Sequence, residues 1–277
     1  MIRLVAADMD GTLLNSRKEL PNHLFSTIHQ LSKRKILFAV ASGRQYYNLR
    51  QIFEPVGREV LFLCENGSMV YAQDKLLYAS RMKDGDIMNM AQAVRPLAHA
   101  RVVLCGVESA YTDCRDPEDL HYIKKYFDRL KVTEDFAAVL RQDIICKVSV
   151  LERGLAETSC YPALARFSNR LQVSLSGENW ADVMNFGVNK GSAIQQIQQK
   201  YGISPAESMS FGDYLNDVQM QCQCYHSYAM ANAHEQLKRV SRSVCPSNDE
   251  NGVLRTLQSV FSLNFNEQEE SGSGVRE

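Results

Sequence analysis

The chain contains 277 residues, of which 45% are hydrophobic and 23% are charged, a balance typical of a soluble folded protein. This composition excludes a collagen-like, disordered or mini-protein chain, and the length allows one large domain or a core with a second, smaller domain. Lys and Arg number 31 against 32 Asp and Glu, so the formal charge is -1. No global basic field is therefore present to bind a nucleic acid.

The cysteines and the start of the chain favour a cytoplasmic location. The 8 cysteines are scattered through apolar segments without the density of a secreted disulfide scaffold, so we expect reduced, mostly buried thiols. The chain reaches Asp8 too early for a signal peptide, and no apolar run approaches the roughly 18 residues that a membrane span needs. Neither a membrane nor a nucleic acid is an expected partner, and the sequence carries no signal for an oligomeric state.

The start of the chain predicts a parallel sheet with a crossover helix. Residues 2–7 and 36–41 are continuous apolar runs, as expected of strands that are covered on both faces. Between them, apolar residues recur at helical spacing, namely Leu24, Ile28 and Leu31. A third strand is predicted over 60–64, and a short hairpin that closes near Asp74 follows it.

From about Met82 the pattern changes to that of an insert with helices and strands of its own. The predicted helices lie near 87–94, 117–127 and 155–167, and the predicted strands cover 101–107, 144–151, 171–175 and 181–186. Because the later strands arrive as an adjacent pair with helices before them, we predict an α+β insert with an antiparallel sheet.

The alternation of strands and helices then resumes. It predicts a helix over 191–201, a strand over 208–211, a short helix after Asn216, a strand over 225–230 and a helix over 252–261. The predicted fold is therefore α/β, with a Rossmann-like parallel-sheet core over 1–81 and 188–263 and an inserted α+β cap domain over 82–187. The polar residues 264–277 are predicted to be a disordered tail.

The sharpest chemical signal is a pair of acids directly after the first predicted strand, in the string Asp8-Met9-Asp10-Gly11-Thr12. Ligands of open α/β sheets bind beyond the carboxyl ends of the strands, which is where these two carboxylates lie. Asp and Gly are also common in ordinary turns. An ordinary turn needs no second acid, so a chemical role is favoured.

A second acidic cluster, Gly212-Asp213-Tyr214-Leu215-Asn216-Asp217, follows a predicted strand in the same way. Four carboxylates at two strand ends, those of Asp8, Asp10, Asp213 and Asp217, repel one another unless a cation lies among them. Oxygen ligands of this kind suit Mg²⁺, which is usually coordinated by carboxylate and phosphate oxygens. The sequence therefore predicts a magnesium site, although the second cluster alone is also compatible with a solvated helix start.

Two further features predict a phosphate site. Ser42 and Gly43 close the strand over 36–41, where a hydroxyl and free backbone N–H groups can bind an anion. Lys190 opens the helix after the insert, although a cation is disfavoured near a helix N-terminus. A nearby anion removes that conflict.

These ordered motifs resemble those of the haloacid dehalogenase-like phosphohydrolases. Longer strings resemble the Cof-like branch of that family, which carries a large α+β cap of type IIB between its second and third motifs; they are Glu65-Asn66-Gly67-Ser68, Gly187-Val188-Asn189-Lys190-Gly191, Ala229-Met230-Ala231-Asn232-Ala233 and Asn251-Gly252-Val253. The similarity spans about residues 2–261.

The resemblance implies a magnesium-dependent phosphatase of small phosphomonoesters. Asp8 attacks phosphorus to give an aspartyl-phosphate, and Asp10 protonates the leaving alcohol and then activates water. The implied metal ligands are Asp8, Asp10 through its carbonyl, and Asp213, with Asp217 in support. The implied phosphate-binding residues are Thr12, Ser42, Gly43, Lys190 and Asn216. Sugar phosphates are the first substrate class expected, with other phosphorylated metabolites, such as a phosphorylated flavin or pyridoxal, behind them.

Three alternatives are compatible with parts of this pattern: a phosphomutase, a receiver-like phosphoacceptor module and a silent phosphosugar-binding protein. A receiver is about half as long and has no insert, and binding alone does not need both Asp8 and Asp10. Tyr214, where the family more often has a small residue, is expected to narrow or reshape the pocket. Trp180 is expected to pack near the cap hinge, and Arg44 is expected to be exposed.

Overall fold

The computed structural model describes residues 1–176 and 178–263 of the chain. Its first segment contains β1 (Leu4–Asp8), α1 (Leu24–Lys33), β2 (Leu37–Ala41), α2 (Tyr46–Ile52), β3 (Val60–Cys64), β4 (Met69–Ala72) and β5 (Lys75–Ala79). The strand–helix–strand start and the hairpin are confirmed, whereas the sequence pattern does not predict α2.

The middle segment contains α3 (Asp84–Val94), β6 (Arg101–Gly106), β7 (Ala110–Thr112), α4 (Pro117–Lys124), β8 (Leu130–Val132), α5 (Phe136–Gln142), β9 (Ile145–Leu151), α6 (Cys160–Ala165), β10 (Leu171–Leu175) and β11 (Trp180–Asn185). The prediction misses β7, β8 and α5, because such short elements display too little periodicity. The helix predicted over 155–167 is wrong in length. Pro162 has no N–H and is tolerated only in a first helical turn, so α6 begins at Cys160.

The last segment contains α7 (Lys190–Tyr201), β12 (Ser208–Gly212), α8 (Val218–Gln223), β13 (His226–Met230), α9 (Glu235–Val240), β14 (Ser243–Cys245) and α10 (Gly252–Phe261). The sequence pattern predicts all of these except α9 and β14. The predicted tail over 264–277 lies outside the described residues, and the domain boundaries near 82 and 188 stay predictions.

The core sheet combines strands from the first and last segments in the order β14-β13-β12-β1-β2-β3-β4-β5. Its strands are parallel from β14 to β3, and the hairpin of β4 and β5 is added antiparallel. One face packs against α1, α2, α9 and α10, and the other packs against α7 and α8. A parallel sheet with helices on both faces is the predicted Rossmann-like core.

The order of the central strands brings the predicted chemical residues together. β1 pairs with β2 on one side and with β12 on the other. Asp8 is the last residue of β1, while Ser42 and Asp213 directly follow β2 and β12. Because the three strands are parallel neighbours, these residues leave the sheet at the same edge.

The middle segment forms a second sheet in the order β10-β11-β9-β6-β7-β8. It is antiparallel except for the pairing of β7 with β8. Apolar residues on one face pack against α3, α5 and α6. The α+β insert predicted from the sequence is therefore present. The other face of its sheet packs partly against α4 and lines a cavity with its remaining residues.

The cysteines are free thiols, of which seven are buried and Cys222 is exposed. This confirms the expected use of cysteine as a reduced, mostly buried residue. Among the described residues, no helix has both the length and the apolar character needed to cross a bilayer.

We predict that Gly191→Ala destabilises the fold although alanine is the better helix former. A Cβ at Gly191 would lie 2.4 Å from the backbone oxygen of Gln219, so α7 and α8 would have to separate. We expect a net loss of about 1–3 kcal/mol in the free energy of unfolding, measured by urea denaturation. Gly85→Ala in α3 is the matched control, since a Cβ there has nothing within 4 Å. Equal effects of the two substitutions would contradict the close packing of α7 on α8.

Candidate active site

A buried lysine joins two carboxylates beyond the end of β1. The Nζ of Lys190 donates to Oδ1 of Asp8 and, at 2.7 Å, to Oδ1 of Asp217. The three residues are 1%, 6% and 0% exposed, respectively. Burial by itself would lower the pKa of Lys190, but Asp217 and Asp8 raise it above the ordinary value, so the side chain stays charged. These carboxylates are the anions that the position of Lys190 predicts.

The first turn of α7 holds Lys190 in place. Asn189 caps the helix, since its side chain accepts a hydrogen bond from the backbone N–H of Ser192 at 2.9 Å. In return, the Ser192 hydroxyl oxygen accepts from the backbone N–H of Asn189 at 3.0 Å. This reciprocal capping box fixes the direction in which the helix starts.

Asp213 reaches the same place from the loop after β12. The hydroxyl of Thr12 donates to Oδ1 of Asp213 at 3.0 Å. A Cβ at Gly11, whose φ is +82°, would lie 2.3 Å from Oδ2 of Asp213. Glycine is therefore required at this position by both the backbone conformation and the close approach.

Asp217 folds the loop that carries Asp213. Its Oδ2 accepts hydrogen bonds from the backbone N–H groups of Asp213 at 3.0 Å and of Tyr214 at 3.2 Å. Its other oxygen is the one bound to Lys190. Asp217 therefore links the lysine to the geometry of the acidic loop.

The carboxylates of Asp8, Asp213 and Asp217 form one cluster, in which one oxygen from each lies within 4.8 Å of the others. Burial raises the pKa of Asp8, and Asp217 and Asp213 add to this effect against the charge of Lys190. Burial and the charge of Asp217 also raise the pKa of Asp213. Three carboxylates facing one lysine leave excess negative charge, and their oxygens are donors that suit Mg²⁺.

The carboxylate of Asp10 lies outside this cluster and is held by two cations. Its oxygens accept from Nε and Nη2 of Arg44 at 3.0 and 2.8 Å, and from Nζ of Lys18 at 3.1 Å. Burial by itself would raise the pKa of Asp10, but Arg44 and then Lys18 lower it. The two acids of the first motif therefore have opposite pKa shifts.

The expectation that Arg44 is exposed is wrong, and Thr12 makes a contact that the sequence does not predict. Arg44 is half-buried against Asp10 rather than exposed, because it directly follows the Ser42–Gly43 turn at the same sheet edge. Thr12 is buried, does not line the cavity beside Asp8, and uses its hydroxyl on Asp213. It therefore positions Asp213 in this structure, and its contact with a phosphate stays a prediction.

The remaining predicted phosphate-binding residues line one cavity with Asp8 and Asp10; they are Ser42, Gly43, Lys190 and Asn216. The Ser42 hydroxyl oxygen accepts from the backbone N–H of Arg44 at 3.2 Å. Asn66 joins this wall, and its side-chain oxygen accepts from Nδ2 of Asn216 at 3.4 Å.

The cavity, of about 1090 Å³, lies between the core and the second sheet. Two charged residues of its far wall, Lys147 and Asp182, were missed by the sequence analysis although each interrupts an apolar strand. Trp180 packs as expected, with ring centroids 5.6 Å from Tyr126 and 6.1 Å from Phe127. Tyr214 lines the cavity and is 58% exposed, so its ring is available at the rim.

Comparison with known proteins identifies the family. The sequence profile of the haloacid dehalogenase-like hydrolases matches residues 5–257, so the chain belongs to this family. The chain is similar to the 5-amino-6-(5-phospho-D-ribitylamino)uracil phosphatase YbjI of Escherichia coli K12, with 29% identity over 94% of this chain and 96% of that protein. It is also similar to the HMP-PP phosphatase of Serratia proteamaculans, with 27% identity over 86% of this chain and 87% of that protein.

A solved structure has the same fold. SMU.1108c from Streptococcus mutans UA159 superposes with a TM-score of 0.82 and 28% identity, covering 95% of this chain and 100% of that chain. The predicted family and α/β fold are thereby confirmed. The chain is a phosphatase of the haloacid dehalogenase-like family, which is the class of enzyme that the ordered motifs predict.

We predict that Asp213→Asn makes the metal-free protein more heat-stable and removes most of its response to Mg²⁺. An acid whose pKa is raised by folding costs stability when it is ionised at neutral pH, and the amide relieves this cost. For the unaltered chain, Mg²⁺ at 100 times its Kd should stabilise the fold by about 2.7 kcal/mol.

Melting temperatures with EDTA and with Mg²⁺ test this prediction. Asp86→Asn is the matched control, because that carboxylate pairs with Arg170 on the cap at 2.8 Å, away from the cluster. It should retain the full Mg²⁺ shift. An unreduced shift in Asp213→Asn would show that Asp213 is not a metal ligand.

Proposed function

We propose that the chain is a Mg²⁺-dependent phosphatase that hydrolyses small phosphomonoesters through an aspartyl-phosphate on Asp8. The observation that carries the proposal is the buried contact of Lys190 with Asp8 and Asp217, with Asp213 beside them. This arrangement presents one carboxylate oxygen as a fixed nucleophile, and its excess negative charge requires a bound cation before an anionic phosphoryl group can approach.

Asp8 is the proposed nucleophile because Lys190 holds one of its oxygens and orients the other. Attack on phosphorus forms the bond from the Asp8 carboxylate to the phosphoryl group as the bond to the leaving alcohol breaks. Asp8, Asp213 and the Asp10 carbonyl would hold Mg²⁺, with Asp217 in support. The bound ion would neutralise charge on the phosphoryl oxygens, which lowers the barrier for an anionic nucleophile.

Asp10 is the proposed acid and base. It gives a proton to the leaving oxygen in the first step and takes one from the water that attacks the aspartyl-phosphate in the second. In the free chain Arg44 and Lys18 lower the pKa of Asp10, so its acidic form is scarce. Phosphoryl oxygens that compete for Arg44 would return the pKa of Asp10 toward its ordinary value.

The proposed phosphate contacts are the Ser42 hydroxyl, the backbone near Gly43, the Lys190 ammonium and the Asn216 amide. Ser42 and Lys190 are 2% and 1% exposed, so they are already fixed before a substrate arrives. Preorganised donors of this kind need little rearrangement as charge develops in the transition state.

The proposed substrates are small phosphorylated metabolites, with sugar phosphates first. The two named relatives act on different esters, so their names support the class of substrate and not a particular compound. A cavity of about 1090 Å³ has room for a leaving group of sugar size or larger. The free, mostly buried thiols support a cytoplasmic location.

We predict that Asp8→Asn abolishes Mg²⁺-dependent hydrolysis of a generic aryl phosphate while the fold is retained. The amide is a poor nucleophile, so we expect at least about a 1,000-fold loss in kcat. Phosphate release and circular dichroism measure the two properties. Asp119→Asn, in which the replaced carboxylate pairs with Arg101 on the cap, should keep full activity. Retention of most activity by Asp8→Asn would show that the nucleophile is another group.

We predict that Asp10→Asn slows turnover by about 100- to 10,000-fold and traps the intermediate. Without a base to activate water, the aspartyl-phosphate decays slowly. With an aryl phosphate, whose leaving group needs little protonation, acid-quenched samples should contain more phosphorylated chain than the unaltered enzyme. Equal or smaller amounts of phosphorylated chain would contradict this role for Asp10.

The same assays separate hydrolysis from the phosphomutase alternative. We expect inorganic phosphate to accumulate in proportion to the sugar phosphate consumed, because water can reach the Asp8 intermediate. Product analysis by chromatography measures the balance. An isomeric sugar phosphate formed in place of inorganic phosphate would favour a mutase.

A further inference from the structure

The second sheet presents a patch of polar side chains to the cavity. Alternate residues of a strand share a face. The register places Asp182 on β11 between Ser174 on β10 and Ser149 on β9, and Lys147 lies two residues before Ser149. All four residues line the cavity. The intervening valines, among them Val148 and Val183, are buried in the apolar cluster on the other face.

This patch is polar although it is almost fully buried. Lys147, Ser149 and Asp182 are 4%, 1% and 4% exposed. Burial of such groups is costly unless they are hydrogen-bonded, and a sheet face in an ordinary core would carry apolar residues here. The patch therefore needs an explanation beyond packing.

Asp182 is only partly satisfied by the protein. Its Oδ1 accepts from the Ser149 hydroxyl at 2.5 Å, and its Oδ2 accepts from the Ser176 hydroxyl at 2.7 Å. An ionised carboxylate offers about four acceptor sites, so two hydroxyl donors leave acceptor capacity on a residue that lines the cavity. Among polar ligand groups, hydroxyls can donate to a carboxylate without adding charge.

Lys147 supplies the complementary donor. Its Nζ lies 2.5 Å from Oε2 of Glu65 in the core and 3.7 Å from Oδ2 of Asp182. Burial by itself would lower the pKa of Lys147, but Asp182 and Glu65 raise it, so the group stays charged. Two carboxylates facing one ammonium leave a net negative charge. A second anionic group on the ligand is therefore disfavoured here.

We propose that Asp182, flanked by Ser149 and Lys147, binds hydroxyl groups of the leaving group and selects phosphate esters of neutral polyhydroxy compounds. The proposal rests on the phosphatase function argued above and adds the residues that select the leaving group. A hydroxyl can donate to Asp182 and accept from Lys147 at once. An alkyl chain can do neither, so it removes water from the remaining hydrogen-bonding sites of both groups without replacing it, which is the stronger basis for rejecting a wrong substrate.

Two substrates of equal chain length test the proposal: ribitol 5-phosphate and n-pentyl phosphate. For the unaltered enzyme we expect kcat/KM to favour ribitol 5-phosphate by at least about 30-fold, measured by phosphate release. We also expect 5-phospho-D-ribonate, which carries a carboxylate at its far end, to be a poorer substrate than ribitol 5-phosphate. A ratio near one between the first two substrates would overturn the proposal without any variant.

The variant Asp182→Asn then tests whether the preference for ribitol 5-phosphate depends on this carboxylate. It should lower kcat/KM for ribitol 5-phosphate by about 10- to 100-fold, mainly through KM, because an amide replaces a charged acceptor. Hydrolysis of n-pentyl phosphate should change by less than about threefold, which also reports an intact fold and active site. The cap control Asp119→Asn should keep the original ratio.

The other outcomes are distinguishable. A variant that loses both activities equally, or that keeps the original preference, would overturn the assigned role of Asp182. Failure of the unaltered enzyme, loaded with Mg²⁺, to hydrolyse these esters and aryl phosphate alike would instead overturn the phosphatase function on which the proposal rests.

Discussion

The buried lysine at the start of α7 is the constraint on which the rest of the site depends. Lys190 brings a positive charge to a helix terminus and to the interior, both of which are unfavourable for a cation. Asp8 and Asp217 offset that cost. Their contacts tie together the end of β1, the helix after the insert and the loop after β12. Loss of the lysine would leave two carboxylates buried without a counter-charge.

The surrounding charges shift the pKa values of two neighbouring acids, Asp8 and Asp10, in opposite directions. Asp8 is buried beside Asp217 and Asp213, so its pKa is raised and its negative charge calls for a cation. Asp10 faces Arg44 and Lys18 at the cavity wall, so its pKa is lowered. Acids that are two residues apart thus enter different environments, as the proposed roles of nucleophile and proton carrier require.

The insert contributes polar side chains to the cavity in addition to enclosing it. One face of its sheet is a conventional apolar core with α3, α5 and α6. The other face turns hydroxyls, a carboxylate and an ammonium toward the cavity that Asp8 and Asp10 also line. The ion pair of Lys147 with Glu65 crosses from the insert to the core. The wall proposed to contact the leaving group is therefore tied to the wall proposed to bind the phosphate.

The sequence by itself determined the order of the longer strands and helices, but not the short elements such as α2, β7 and β14. It also determined the strand ends that carry Asp8, Ser42 and Asp213, since these depend on local periodicity and on the topology of a parallel sheet. Only the tertiary structure decided that Thr12 serves Asp213, and that Lys147 and Asp182 share a cavity with Lys190. Those contacts join residues far apart in the chain. They depend on how the insert packs over the core, which no local pattern encodes.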